Sequence, residues 1–83
     1  MTRQKVRDTI ETITVKQIEK FMPCKFDRNK TFNDLGADEF DVVAIQMGIE
    51  YALKIEFDDY ESEGISTPAM METFICGRFG VSN

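Results

Sequence analysis

Apolar residues recur at helical spacing along the first quarter of the chain. Over about residues 3–21 they return mostly every three or four positions, which predicts an amphipathic helix with one buried stripe. Pro23 ends this helix, because proline lacks a backbone N–H and disfavours helical conformation at the preceding residue. Residues 23–34 then predict a polar loop in which Phe26 and Phe32 fold back to fill the core. The stripe consists of Val6, Ile10, Ile13, Ile18, Phe21 and Met22.

A second helix is predicted over about residues 38–54. A glycine supplies a tight turn before it, and Asp38 caps its first N–H groups, with Asp41 three residues later as in a capping box. Two sets of apolar residues follow at helical spacing. We expect the side chain of Met47 to pack against the other helices. The side chain of Tyr51 is expected either to pack there as well or to contact a partner protein. One face holds Phe40, Val43, Met47 and Tyr51, and beside it lie Ile45, Ile49 and Leu53.

The last third of the chain predicts a short acidic connection and a final helix. Residues 55–65 lack a helical period, so we expect a loop with one short helical turn. The final helix begins after a Ser66 or Thr67 cap, with Pro68 at its first position. Its apolar residues are Met70, Met71, Phe74 and Ile75, it closes at Gly77 and Gly80, and the tail then frays. The prediction is an all-α bundle of three or four helices, with a long loop between helices 1 and 2, in one domain over 1–83.

The composition excludes several kinds of chemistry. The 83 residues include no His, so neither Ser-His nor Cys-His activation of a nucleophile is available, and the commonest general base is missing. Cys24 and Cys76 are too few for a structural zinc site, and in a cytosolic chain they predict reduced packing residues. We therefore expect no enzyme activity and no metal site.

The distribution of apolar and charged residues also predicts where the protein works. No apolar run approaches the roughly 18 residues of a membrane span. Residues 1–13 carry charges throughout, unlike a secretory signal. We expect a cytoplasmic protein without a membrane partner.

The net charge of −5 hides an asymmetry between the two parts of the chain. Residues 1–30 hold eight Lys or Arg and four acids, a balance of +4, whereas residues 31–83 hold two bases and eleven acids, a balance of −9. The acidic majority argues against nucleic acid, because phosphate contacts need clustered Lys and Arg, and favours a protein with a basic surface. The basic face of the first helix is expected to be solvated or to meet a second, acidic partner. This face consists of Arg3, Lys5, Arg7, Lys16 and Lys20.

The most informative motif is the run DLGADEFD at residues 34–41. It resembles the DLGADSLD motif of acyl carrier proteins. The resemblance continues without gaps through the acidic segment at residues 55–59 and the run GIST at residues 64–67, which is similar to the start of the family's last helix. It covers about residues 32–76 and implies a four-helix carrier-protein bundle.

One position departs from the family pattern. The resemblance implies that the residue after Asp38 is a serine carrying phosphopantetheine through a phosphodiester, but here it is Glu39, whose carboxylate cannot replace the hydroxyl. We therefore expect no cofactor on this chain; phosphopantetheine belongs to it only if residue 39 is Ser in the native protein. Three explanations stay open. Glu39 is a permanent mimic of the charged, modified state, or a residue kept for helix stability after attachment was lost, or a replacement that blocks modification.

The resemblance also implies a recognition surface, because acids along the family's second helix meet Lys and Arg on enzyme surfaces. Ala44 and Tyr51 stand where the family has acids. The leading hypothesis is a monomeric, non-pantetheinylated protein that acts by protein–protein interaction as a carrier-protein mimic, regulator or accessory subunit. Its partner carries a basic patch and also recognises carrier proteins. The residues expected to bind it are Asp38, Glu39, Phe40, Asp41, Glu50 and Tyr51.

Two alternatives remain beside this hypothesis. One is a genuine acyl carrier protein of fatty-acid or polyketide synthesis whose attachment serine has been replaced. The other is a protein that binds a fatty acid non-covalently in a cavity of the bundle. That cavity is expected between Phe40, Met47, Phe57, Ile65 and Phe74.

Overall fold

The computed structural model describes residues 1–81, and this part of the chain is helical without strands. The helices are α1 (Arg3–Ile18), α2 (Glu39–Leu53), α3 (Asp59–Glu63) and α4 (Pro68–Arg78), and a 3₁₀ turn (Glu19–Phe21) follows α1. The all-α bundle and the long loop between helices 1 and 2 are therefore confirmed. The last two residues, where the sequence predicts fraying, lie outside the described part.

Helix α1 lies at the centre and contacts both α2 and α4. Val6, Ile10 and Ile18 of the predicted stripe are buried. The prediction is wrong for Phe21, whose side chain is 71% exposed. The chain leaves α-helical geometry after Ile18, and the 3₁₀ turn advances by a different angle per residue. Phe21 is thereby turned away from the stripe.

Helix α2 buries one of its two apolar sets, and the prediction that Met47 packs against the other helices is wrong. Ile45 and Ile49 are fully buried, whereas the set from Phe40 to Tyr51 is exposed and Met47 does not pack in the core. Met47 and Ile49 are two residues apart, about 200° around the helix axis, so α1 can cover only one of the two apolar sets. The exposed fractions are 82% for Phe40, 51% for Val43, 63% for Met47 and 88% for Tyr51.

A glycine in α2 allows α1 to approach closely. A Cβ atom added at Gly48 would lie 3.1 Å from Cγ2 of Ile13, which is tighter than ordinary van der Waals contact. Because this side of α2 carries glycine as well as isoleucines, it is the side that α1 covers.

The loop between α1 and α2 is fastened to the start of α4. The Phe32 N–H donates to the Ser66 carbonyl (3.1 Å), and the Ala69 N–H donates to the Arg28 carbonyl (2.9 Å). Phe32 is buried and Phe26 packs against the core, as predicted. The loop therefore belongs to the core and fixes the entry into α2.

Helix α4 begins at one of the two predicted caps, Thr67. The Met70 N–H donates to Oγ1 of Thr67 (3.0 Å), directly before Pro68. Helix α4 does not close at Gly77 but continues to Arg78, because one glycine only weakens a helix. Gly80 takes the left-handed conformation beyond it (φ 65°). Cys76 is buried, Cys24 is half-buried, and both are free thiols.

Over residues 1–81 no helix has the length and apolar content needed to cross a membrane.

Candidate functional site

The site is built on the turn that leads into α2. Gly36 has a left-handed backbone (φ 106°), and a Cβ atom there would lie 2.7 Å from the carbonyl oxygen of Phe21. Only glycine fits this position without displacing the 3₁₀ turn that follows α1. The turn is closed by the Ala37 N–H, which donates to the Phe32 carbonyl (2.9 Å). The glycine of the DLGADEFD run therefore sets where α2 begins.

A complete capping box begins α2. The Asp41 N–H donates to Oδ1 of Asp38 (2.8 Å), and the Asp38 N–H donates to Oδ2 of Asp41 (3.1 Å). Nε2 of Gln17, on α1, donates to Oδ1 of Asp41 (3.1 Å). The Asp38 N–H and then Gln17 hold the pKa of Asp41 below its usual value, because they donate to its charged form. Both aspartates are thus held in fixed orientations by these hydrogen bonds.

Glu39 is the first residue of α2, and its side chain is exposed. No salt bridge within residues 1–81 involves its carboxylate. The helix N-terminus favours an anion there, by roughly 0.3–1 kcal/mol when exposed. This position therefore presents a negative charge to solvent beside the two capping aspartates.

The remaining predicted binding residues lie along α2 but do not share one environment. Phe40 and Tyr51 are exposed, as contact with a partner requires. The Glu50 carboxylate instead accepts a hydrogen bond from the Phe57 N–H (2.8 Å). Glu50 therefore holds the connection between α2 and α3, and the surface near Glu39 consists of acids at the helix start followed by exposed apolar side chains.

The five residues expected to line a lipid cavity are not all brought together. Phe57 and Phe74 do meet, with ring centroids 5.6 Å apart, and Ile65 is buried. Phe40 and Met47 face solvent on the outward side of α2, so they do not line a cavity with the others. An open, mainly apolar groove of about 450 Å³ is present instead. It is lined by Glu61, Gly64, Ile65, Ala69, Met70, Thr73 and Phe74.

The sequence analysis missed a buried carboxylate on α4. Glu72 is only 1% exposed, and it accepts hydrogen bonds from Arg3 (2.7 Å), Arg7 (2.8 and 3.1 Å) and Arg28 (2.8 Å). These bonds, that of Arg7 first, lower the pKa of Glu72 from 4.5 to about 2, against the opposing effect of burial. Glu72 and the three arginines tie α1, the long loop and α4 together.

This cluster corrects the expectation for the basic face of α1. Arg3 and Arg7 are bound to Glu72 and do not belong to a freely solvated surface. The lysines of that face, Lys5, Lys16 and Lys20, are exposed. The only signal in the sequence was a single acid inside the apolar stretch PAMMETFIC, which gave no partner for it.

Residues 1–81 contain no group of three or more Cys, Asp or Glu side chains placed to hold a metal ion.

Comparison with known proteins places the chain in a family, although no family model matches it. The chain is 37% identical over 60 residues to an acyl carrier protein of Wolinella succinogenes, covering 72% of this chain and 79% of that protein. The chain belongs to the acyl carrier protein family. It is also 44% identical over 48 residues to an acyl carrier protein of Prochlorococcus marinus, covering 58% of this chain and 60% of that protein.

Membership in the acyl carrier protein family agrees with the architecture described above. The four helices, the long first loop and the glycine turn before α2 make one consistent scaffold.

Proposed function

We propose that this acyl carrier protein relative is not pantetheinylated and works in the cytoplasm as a carrier-protein mimic, regulator or accessory subunit, without catalysis of its own. The chain is monomeric, and its partner is a protein with a basic surface patch that also recognises carrier proteins. The binding residues are Asp38, Glu39, Phe40, Asp41, Glu50 and Tyr51.

The observation that carries this proposal is the exposed Glu39 at the first position of an intact α2. A carboxylate offers no hydroxyl to a phosphopantetheinyl transferase, whereas the capped helix around it is retained. The helix N-terminus stabilises a carboxylate as it would a phosphate. Glu39 is therefore suited to imitate the charge of a modified carrier while accepting no group.

The first experiment tests whether the chain accepts phosphopantetheine. The purified protein is incubated with coenzyme A and a phosphopantetheinyl transferase, and its mass is measured. We expect the parent and Glu39→Ala to keep their mass and Glu39→Ser to gain phosphopantetheine. A mass increase of the parent contradicts the proposal. If Glu39→Ser gains no phosphopantetheine, the enzymes that act on carrier proteins do not recognise this chain.

The second experiment tests mimicry in the same assay. Because the parent presents a charged carrier-like surface, we expect it to inhibit modification of the Wolinella succinogenes acyl carrier protein by the transferase. Glu39→Lys should weaken this inhibition. Glu63→Lys makes the same charge change on an exposed residue of α3 and should leave inhibition unchanged. Equal inhibition by all three proteins would show that Glu39 is not the recognition element.

A genuine carrier protein whose serine has been replaced is separated from this proposal by the native gene. A serine codon at position 39 would return the chain to the carriers of fatty-acid or polyketide synthesis, with phosphopantetheine as cofactor. A glutamate codon keeps the proposal.

The apolar groove beside α4 favours one second candidate, non-covalent binding of a fatty acid. Its volume of about 450 Å³ lies within the range of small-molecule sites, and Ile65 and Phe74 of the original hypothesis line it. Native mass spectrometry of the protein from cells would show a co-purified fatty acid. Its absence after saturation with added fatty acid excludes this candidate.

A further inference from the structure

The side chain of Phe21 is exposed although its backbone is in close contact with the rest of the chain. The side chain is 71% exposed. A Cβ atom added at Gly36 would lie 2.7 Å from the carbonyl oxygen of Phe21 and 3.3 Å from Cδ of Pro23. Ile18, three residues earlier, is fully buried, and Met22, the next residue, packs against the core. Phe21 is therefore not part of a frayed helix end, because the chain is held on both sides of it.

A fixed backbone makes this exposed aromatic side chain suitable as an anchor for a partner. A side chain on a mobile loop must be ordered together with its loop on binding, which costs free energy. At Phe21 only the torsions of the side chain itself remain to be ordered, and Pro23 restricts the chain further because its ring fixes φ. Aromatic residues are enriched in the buried centre of protein interfaces. Phe21 thus presents a large apolar surface at a low entropic cost.

The same close contact places Phe21 beside the start of α2. Gly36, which approaches the Phe21 carbonyl, precedes Glu39 by three residues, a stretch of chain that spans at most about 11 Å. Nε2 of Gln17, one turn before Phe21, donates to Oδ1 of Asp41 (3.1 Å). An interface of ordinary size covers about 800 Å² on each partner and is thus roughly 30 Å across. A partner that covers Glu39 with such an interface therefore also reaches Phe21.

The charges around the glycine turn are complementary to a basic partner. Asp34, Asp38 and Glu39 lie on the two sides of this turn in the chain, and all three are exposed. Lys20, directly before Phe21, is exposed as well, but successive residues of a 3₁₀ turn are about 120° apart, so its side chain is turned to another side. The net charge of −5 adds a long-range attraction for a basic surface.

We infer that Phe21 is the apolar anchor of the partner-binding surface, and that its ring enters an apolar pocket of the partner whose rim carries Lys and Arg. The inference rests on the proposed function, to which it adds a binding residue outside α2 and the shape of the partner surface. The acids around the glycine turn pair with the basic rim and speed association, whereas burial of the ring slows dissociation. Phe21 thereby determines which basic proteins the chain binds tightly.

The inhibition assay described above tests this inference, with the phosphopantetheinyl transferase as the probe. Phe21→Ala should raise the inhibition constant of the chain roughly 10- to 30-fold, because it removes the ring and keeps the backbone. Phe21→Met keeps a large apolar side chain and should retain most of the inhibition. Tyr60→Ala removes an 87% exposed aromatic side chain from α3 and is the matched control, which should inhibit like the parent. Circular dichroism melting verifies that each variant is folded.

Added salt separates the apolar anchor from the charges around it. Ionic strength screens interactions between exposed charges, so the effect of Glu39→Lys on the inhibition constant should shrink as salt is added. The effect of Phe21→Ala comes from lost apolar contact and should keep the same fold-change. If the effect of Phe21→Ala disappears with salt, Phe21 is not an apolar anchor.

The outcomes distinguish this inference from the proposed function. If Phe21→Ala inhibits like the parent while Glu39→Lys inhibits less, the anchor is wrong and the proposed function stands. If Phe21→Ala inhibits less while Glu39→Lys does not, the anchor stands and Glu39 is not the recognition element. An equal loss in Tyr60→Ala also overturns the inference, because the loss is then not specific to Phe21. A parent that does not inhibit contradicts both.

Discussion

Glu72 illustrates what a single residue contributes to this fold. It is an ionised group in the interior, where a charge is costly unless it is fully paired. Three guanidinium groups supply that pairing, from α1 and from the long loop. The carboxylate therefore stabilises the junction of three segments only as long as it remains ionised.

The depressed pKa of Glu72 predicts a pH-dependent loss of stability. A carboxyl whose pKa falls from 4.5 to about 2 on folding contributes its full stabilisation above pH 4.5, and this is lost as the pH falls from 4.5 to 2. The difference corresponds to about 3 kcal/mol. Urea unfolding of the parent at a series of pH values should therefore show a steeper loss of stability over this range than Glu72→Gln.

The matched control for this prediction is Glu11→Gln, which removes an exposed acid of α1 and should keep the steep pH dependence. At neutral pH Glu72→Gln should be less stable than the parent by about 3 kcal/mol, because three arginines lose their counterion. Equal pH dependence of Glu72→Gln and the parent would show that Glu72 is not the group responsible.

At the scale of the element, α2 is defined by its two ends. Its start is a capping box supported by a glycine turn, and its end is Lys54 in the left-handed conformation (φ 57°). A residue other than glycine in this conformation stores backbone strain. The helix thus has a well-stabilised beginning and a strained end, and the strained end is close to Glu50, whose carbonyl accepts the Lys54 N–H.

Replacing Lys54 by glycine should therefore stabilise the protein. Glycine adopts the left-handed conformation without a Cβ penalty, so Lys54→Gly is expected to raise the free energy of unfolding by about 0.5–1 kcal/mol. This corresponds to an increase in Tm of about 2–8 °C for a domain of this size. Differential scanning calorimetry in dilute solution measures it. Lys54→Ala removes the same charge but keeps a Cβ, so it should show no such gain; equal Tm values for the two variants would refute the role of strain.

At the scale of the whole molecule, stability is unevenly distributed. Helix α1 packs against α2 and α4, and all three contribute buried side chains to the core. Helix α3 buries none of its residues. It is held by its own capping box and by Arg78, which donates to the Glu61 carboxylate. The molecule is thus a three-helix core with a short helix attached at its surface.

Amide hydrogen exchange should report this division. Segments with few buried contacts open at low free energy, whereas core helices exchange only through near-global unfolding. We expect the amides of α3 to exchange several orders of magnitude faster than those of buried positions in α1, such as Ile10. Exchange measured by NMR checks this expectation. Protection of α3 equal to that of α1 would contradict it.

The sequence by itself determined where α2 and α4 begin. Asp38 and Thr67 are capping residues that act through hydrogen bonds to groups three residues away, and Pro23 and Gly36 act on their own backbone. Such signals depend on immediate neighbours in the chain and need no knowledge of the fold. The family resemblance rests on the same stretch, so the position of the candidate site could also be predicted.

Only the tertiary structure decided which surfaces these helices bury. Both apolar sets of α2 have helical spacing, and the choice between them followed from the side on which α1 packs closely against Gly48. The burial and ion pairing of Glu72 likewise depended on arginines that lie 44 to 69 residues away in the chain. Helical spacing and hydrophobicity depend on the nearest residues, whereas burial and ion pairing depend on which distant segments meet. For this reason the exposure of one apolar set of α2 and the burial of the α4 carboxylate became evident only in the folded chain.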